Sequence, residues 1–313
     1  MGSNPTLSAS RGDRFGRPFP YGKIGSMKFN LALAQFSPQL GNVEANLEKH
    51  LALIREAQAQ SADLVLFPEL SLTGYVLQDL VPSVATLSER DHPVFQALLD
   101  ASRGIDLVVG FVDEDSRHRF FISSAYLSQG SMLHIHHKVY LPTYGLFDEG
   151  RFFAPGSSVR AFDTRFGRVG MLICEDFWHA SPPYILWLDG ADLLLFSSAS
   201  PGRGLNSETK LESSTWVEHI NQAYASLFTL PVAHSNRTGF EDGLNFAGGS
   251  TLFDPDGKLV IQAPYYEEAL AVAEIDMNQL HRTRSRLPLL RDERPDLVAS
   301  ELERILHGHQ PIH

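Results

Sequence analysis

Cysteine is nearly absent: Cys174 is the only one in 313 residues, so no disulfide can form within the chain, and this fits a reducing, cytoplasmic setting. Positive charge is also scarce, with 26 Lys and Arg against 37 Asp and Glu and a net charge of −11. A nucleic acid or an anionic membrane needs a basic face, so neither is expected as the main partner. No apolar run is long enough to span a bilayer. Repeats, low-complexity tracts and linkers are missing as well. The first 26 residues carry Arg11, Arg14 and Arg17 among Gly, Ser and Pro but no apolar stretch, which excludes a secretory signal; Asp13 and the prolines weaken a transit-peptide reading. A poorly packed leader over residues 1–26 is expected, with one domain over 27–313 beginning near Met27.

What remains is an alternation of strand and helix patterns. Phe29, Leu31 and Leu33 alternate with Asn30, Ala32 and Ala34, a strand period of two. Asn42 suits a helix cap, and Val43, Leu47, Leu51 and Ile54 then follow on one helical face. Further strands are expected over Asp63–Phe67, Asp106–Phe111, Phe120–Leu127, Met132–Val139, Val169–Ile173, Leu193–Phe196, Phe228–Ala233, Ser250–Phe253 and Leu270–Ile275. Helices are expected over Val94–Ser102, Glu208–Ala225 and Leu297–Leu306, the last within about 294–308. Asp254-Pro255-Asp256-Gly257 is a hairpin turn signal. Such alternation makes one α/β domain the simplest account. Apolar runs with little alternation imply sheets covered on both faces, partly by helices.

Three residues at strand ends carry chemistry. Glu69 follows a buried run in Phe67-Pro68-Glu69-Leu70; partial desolvation would raise its pKa and suit it to act as a general base. Taken alone it reads better as a helix cap or a surface acid. Lys138 closes the run His136-His137-Lys138 and can aim a fixed positive charge into a site, or snorkel from an edge strand. Cys174 ends Gly170-Met171-Leu172-Ile173 at a polar turn, where it is either a nucleophile or a small buried hydrophobe. Together the three make a set: Glu69 can take the thiol proton, and Lys138 can stabilise a thiolate and a later oxyanion. His179, His134, His136 and His137 are alternative bases, though none sits in a cysteine-protease-like motif. His134 and His136 share a strand face, but no third metal ligand is evident. Asn236-Arg237-Thr238-Gly239-Phe240-Glu241-Asp242-Gly243 reads as pocket wall, subunit contact or ordinary loop.

In this order, Phe-Pro-Glu-Leu, His-Lys-x-Tyr-Leu-Pro and Ile-Cys-Glu-Asp-Phe-Trp resemble the three signatures of the nitrilase (carbon–nitrogen hydrolase) superfamily, over about Met27 to Asp276. Pro68 to Tyr75, Leu141 to Glu149, Arg151 to Gly156 and Ser198 to Pro201 are similar to the glutaminase domain of glutamine-dependent NAD synthetases. The resemblance implies an α-β-β-α sandwich with two mixed sheets flanked by helices, assembled as a homodimer or larger homo-oligomer. It implies Cys174 as nucleophile, Glu69 as general base and Lys138 as oxyanion stabiliser, with the Glu175 N–H completing the oxyanion hole and Glu149 positioning Lys138. Tyr144 and Ser200 would line the substrate pocket. Arg203 would meet a substrate carboxylate or else be a solvated loop arginine, and Trp178 would wall the site or pack in the core. No metal or cofactor is implied. The synthetase loop Ser-Gly-Gly-x-Asp-Ser is missing, since Gly248-Gly249-Ser250 lacks its Asp and looks strand-like, so this chain is not expected to make NAD by itself. The expected activity is hydrolysis of a small carboxamide, glutamine-type first; a simple amide, an N-carbamoyl compound or, less favoured, a nitrile comes next. A glutaminase subunit feeding ammonia to a separate synthetase chain is the companion reading.

Overall fold

The computed structural model describes residues 28–86, 92–203 and 211–308; the expected leader and the expected helix start at Glu208 lie outside these residues. The strands in chain order are β1 Lys28–Gln35, β2 Leu64–Leu66, β3 Asp106–Glu114, β4 Phe120–Ser128, β5 Ser131–His137, β6 Phe162–Thr164, β7 Gly167–Ile173, β8 Leu193–Ser198, β9 Val232–Asn236, β10 Thr238–Glu241, β11 Leu244–Ala247, β12 Thr251–Phe253, β13 Leu259–Gln262 and β14 Ala269–Asp276. Twelve of them form two six-stranded sheets, ordered β14-β1-β2-β3-β4-β5 and β13-β12-β9-β8-β7-β6. Both are mixed. Parallel pairs sit at the centre (β1–β2–β3 and β7–β8–β9) and antiparallel strands flank them.

The alternation in β1 explains the layering. Phe29, Leu31 and Leu33 enter the larger core, with Met171 and Leu195 of the second sheet, while Ala32 and Ala34 face a second core with Phe95, Leu98 and Ile54. Small residues on that side let helices Val43–Ala59 and Pro93–Ala101 lie close to the sheet. On the far side, helices Ser181–Leu188 and Glu212–Phe228 bury Leu186, Trp187, Val217, Ala225 and Phe228. The result is the expected α-β-β-α sandwich, two mixed sheets between helices. Hydroxyls also cross between the sheets: Ser197 Oγ donates to the Phe67 carbonyl at 3.0 Å and Ser235 Oγ to that of Ala34 at 3.2 Å.

Several local readings need correction. Phe228 ends a helix rather than opening a strand, and β9 starts at Val232. Gly248 and Gly249, expected in a strand, take φ +71° and +72°, and β12 begins only at Thr251. The helix Met277–Arg286 lacks a long apolar stripe and was not expected; Asp276 caps it by accepting the Asn278 N–H. The segment after Asn236 is no open loop but a hairpin, β10–β11, turning through Asp242 and Gly243 at φ +47° and +79°. In helix Val43–Ala59, Asn42 does cap through Ala45 N–H, but the buried positions are Asn46, His50, Leu53, Ile54 and Ala57. Leu47 and Leu51 only flank them.

Those buried polar residues hold the segment after β2. Asn46 Nδ2 donates to the Leu72 carbonyl at 3.0 Å, and His50 Nε2 lies 2.9 Å from Ser71 Oγ. Burial lowers the His50 pKa to about 4, so the ring is neutral at pH 7. On its other side this segment runs against Gly110 of β3, where a Cβ would meet the Pro68 carbonyl oxygen at 2.4 Å and the Leu70 nitrogen at 2.6 Å. Gly110→Ala should therefore cost roughly 1–3 kcal/mol, as overpacking does. Thermal unfolding checks this; a melting temperature equal to wild type would contradict the close approach.

Candidate active site

The three strand ends meet. Glu69 lies three residues past β2, Lys138 one past β5, and Cys174 one past β7. Lys138 Nζ donates to Glu69 Oε1 at 2.7 Å and to Glu149 Oε1 at 2.8 Å. Lys138 is 0% exposed and Glu69 1%, which excludes the snorkelling lysine and the surface acid. Glu69 uses its other oxygen, Oε2, to accept the Ala199 N–H at 2.8 Å, just beyond β8. Tyr75 OH donates to Glu149 Oε1 at 2.5 Å. Cys174 opens the one-turn 3₁₀ helix Cys174–Trp178 with φ +45°, a left-handed conformation that costs a non-glycine residue roughly 1–3 kcal/mol. Such a turn leaves its first N–H groups, including that of Glu175, without intrahelical acceptors.

Charges in this buried space act strongly on one another. Burial pushes the Cys174 thiol up to about 12; the Glu69 charge adds to this and Lys138 opposes it. The thiol is thus neutral at pH 7 and lies within the field of both groups. Burial raises Glu149 to about 7 against the pull of Lys138. Burial alone would lower Lys138, but the charges of Glu149 and Glu69 outweigh it and hold the ammonium well above its ordinary value.

Cys174 borders a cavity of about 310 Å³ whose walls include Tyr144, Glu175, Trp178, Ser200, Arg203 and Trp216. Every wall residue expected from the sequence is here. Ser200 Oγ is 3.8 Å from Cys174 Sγ. Tyr144 OH donates to the Glu175 carboxylate at 3.0 Å, and the Arg203 guanidinium lies 4.3 Å from the centre of the Phe147 ring. Trp178 is half-exposed on the wall rather than packed in the core. His134 stacks on Phe162 and His137 lies 3.0 Å from Asp113, while His179 stacks on Tyr140 with its Nε2 3.7 Å from Glu175 Oε1 of the cavity wall. Among the described residues no group of three His, Cys, Asp or Glu is arranged to hold a metal ion. No helix among them is long and apolar enough to cross a membrane.

Sequence reasoning passed over the residues that tie these parts together. Asp176, two past Cys174, accepts the Val139 and Tyr140 N–H groups, each at 2.9 Å, and the Ile173 N–H at 3.1 Å; His136 Nε2 lies 2.8 Å from it. One buried carboxylate thus fixes the Cys174 turn to the Lys138 segment. Asn236 Oδ1 accepts the Ser200 N–H at 2.9 Å and its Nδ2 donates to the Gly248 carbonyl at 3.0 Å, fixing the wall beside the thiol. Asp176 stood inside a quoted motif, and an acid in the first turn after a strand was its available signal. Asn236 opens the stretch for which pocket wall is one expected reading, but its own part there is not singled out, because its partners are distant in sequence.

The carbon-nitrogen hydrolase family model matches residues 30–285. A glutamine-dependent NAD(+) synthetase of Acinetobacter baylyi is 33% identical over 251 residues, which cover 80% of this chain and 45% of that protein. The chain thus spans about half the length of such curated relatives. A carbon-nitrogen hydrolase of Helicobacter pylori G27 superposes with a TM-score of 0.80 over 89% of this chain and 99% of its own, at 24% identity, and so supports the fold. A mutant of the amidase from Nesterenkonia sp. AN1, solved with the acetamide moiety of fluoroacetamide covalently added at its active-site cysteine, superposes at a TM-score of 0.73 and 25% identity, covering 89% of this chain and 98% of its own. The chain belongs to the carbon-nitrogen hydrolase family and is a hydrolase of carbon–nitrogen bonds.

Proposed function

We propose that this chain is a thiol amidohydrolase that converts a small carboxamide, glutamine-type first, to an acid and ammonia through a thioester on Cys174. The observation that carries the reading is a buried ammonium, Lys138, clasped by Glu69 and Glu149, with the charges of all three acting on the Cys174 thiol that borders the cavity. The mutant Nesterenkonia amidase that carries the acetamide moiety of fluoroacetamide at its active-site cysteine supports, by similarity, Cys174 as the nucleophile. A neutral thiol needs a base during the reaction rather than before it. Glu69 takes the Cys174 proton as sulfur attacks the amide carbon. Lys138 and the Glu175 N–H stabilise the oxyanion. When the tetrahedral species collapses, Glu69 gives the proton to the departing nitrogen, leaving ammonia and the thioester. Glu69 then draws a proton from water, which attacks the thioester and releases the acid and the thiol. Two lower barriers replace one high one.

The cavity favours a zwitterionic substrate. Arg203 offers a fork for a carboxylate, while Glu175 and Glu212 offer negative charge to an ammonium. A glutamine-dependent NAD(+) synthetase of which this chain covers 45% makes ammonia supply to a separate synthetase chain the companion reading.

Ammonia release should be largest with glutamine in a panel with asparagine, aliphatic amides and N-carbamoyl amino acids; a flat panel would contradict the substrate assignment. Cys174→Ala should abolish turnover. Lys138→Met should lose at least ~10²-fold in kcat, the scale of a lost oxyanion donor, and near-wild-type kcat in either variant would refute its role. It should also lower the melting temperature, since two buried carboxylates lose their cation.

The pH profile is also constrained. Glu149 rises from an ordinary value of 4.5 to about 7 on folding. A raised acid favours its protonated form in the native state, so this group's contribution to stability falls as pH rises from about 4.5 to about 7. Ionised Glu149 is the acceptor that positions Lys138, so kcat/KM should climb through pH about 7. Glu149→Gln should lose that limb, and a limb unchanged in the variant would assign it to another group.

A further inference from the structure

The hairpin β10–β11 carries an ion pair that the reaction does not use directly. Arg237, between β9 and β10, is 0% exposed, and its Nη1 donates to Glu241 Oε2 at 2.5 Å. Its guanidinium lies 4.2 Å from the centre of the Phe246 ring of β11, and its backbone bonds reach Ser198 of β8 and Gly248. A buried ion pair replaced as a whole by apolar groups is often neutral or stabilising, so stability alone is a weak account of the pair.

The free oxygen of Glu241 gives it a use. Glu241 Oε1 accepts two successive backbone N–H groups, those of Tyr75 and Val76, each at 2.7 Å. Gly74 makes room for this: at φ +81°, a Cβ there would sit 2.8 Å from Glu241 Oε2. Tyr75 also packs edge-on against Phe246, with ring centres 5.9 Å apart. Held from behind in this way, Tyr75 points its hydroxyl at Glu149 Oε1, the same oxygen that accepts from Lys138.

We infer that the buried Arg237–Glu241 pair is a positioning element for catalysis: it fixes Tyr75, and Tyr75 holds Glu149 in register with Lys138. The inference rests on the amidohydrolase reading and extends it to residues that touch no substrate. Glu149 is faced by Lys138, Glu69, Tyr75 and the Cys174 thiol. Of these, Lys138 and the Tyr75 hydroxyl favour its ionised form, while Glu69 opposes it. A loosened Tyr75 leaves Glu149 a weaker acid, so the rising limb of kcat/KM moves to higher pH. A purely structural pair would lower the melting temperature and leave the limb in place.

The test is a cycle of Glu241→Gln, Tyr75→Phe and the double variant, with pH profiles of kcat/KM on the best amide substrate and melting curves for each. Each single variant should lower kcat by ~10–10²-fold, the scale of a misaligned catalytic group, with KM within about threefold. Each should also shift the rising limb upward, and the double variant should cost no more than the worse single one, because one linkage carries both effects. Arg237→Met with Glu241→Leu removes the pair without stranding a charge and should show the same shifted limb. Limbs that stay at the wild-type position, or fully additive losses, would overturn the inference. Because the wild type is assayed alongside, a wild type that never acylates Cys174 defeats the amidohydrolase reading instead.

Discussion

An ammonium taken wholly out of water must be compensated or the site does not form. Lys138 meets that condition by donating to two buried carboxylates, Glu69 and Glu149. Desolvating such a cation costs several kcal/mol, and the loss is recovered only with close, well-bonded partners. The cation and its two partners come from three chain segments: the end of β5, the stretch after β2 and the short helix Glu149–Phe152. The fold therefore has to bring three loops to one point before the charge can be buried. Cys174, arriving from the second sheet, sits in the resulting field, its thiol neutral because burial and Glu69 outweigh the pull of Lys138.

The sandwich makes this meeting possible. Central strands in both sheets run parallel, so their ends open on one edge of the molecule, where loops can converge. Polar bridges then fix the convergence. Asp176 joins the Cys174 turn to the strand carrying Lys138, Ala199 meets Glu69 from β8, and Glu241 grips the chain beyond Glu69. Two non-glycine residues in left-handed conformations lie here, Leu70 at φ +49° and Cys174 at +45°. Such conformations persist only where the surroundings over-determine them, and here each is flanked by buried hydrogen bonds.

Much of this was legible beforehand. The period-two and apolar runs located the central strands because burial on both faces leaves a strong compositional trace. Glu69, Lys138 and Cys174 stood out because each ends such a run in a polar residue. What escaped was long-range or polar. The helix Met277–Arg286 is rich in Arg and Asn and is set by a cap rather than a stripe. Phe228 was assigned to the wrong element because an aromatic at a helix end and one at a strand start look alike. In helix Val43–Ala59 the inner face carries Asn46 and His50, which an apolar template reads as solvent-facing. Asp242-Gly243 is a hairpin signal inside the stretch read as pocket wall, subunit contact or ordinary loop. Arg237 and Glu241 are four residues apart, but their partner Tyr75 is 166 residues from Glu241, and no local pattern encodes that contact.

All of this turns on whether Cys174 forms a bond to the substrate. Rapid acid quench of the enzyme with its best amide, followed by intact mass and peptide mapping, tests it directly. The account predicts a transient adduct on the Cys174 peptide whose mass equals the substrate less ammonia, formed and lost at rates consistent with turnover. Turnover with no adduct on that peptide at any quench time, or an adduct on another residue, would contradict it.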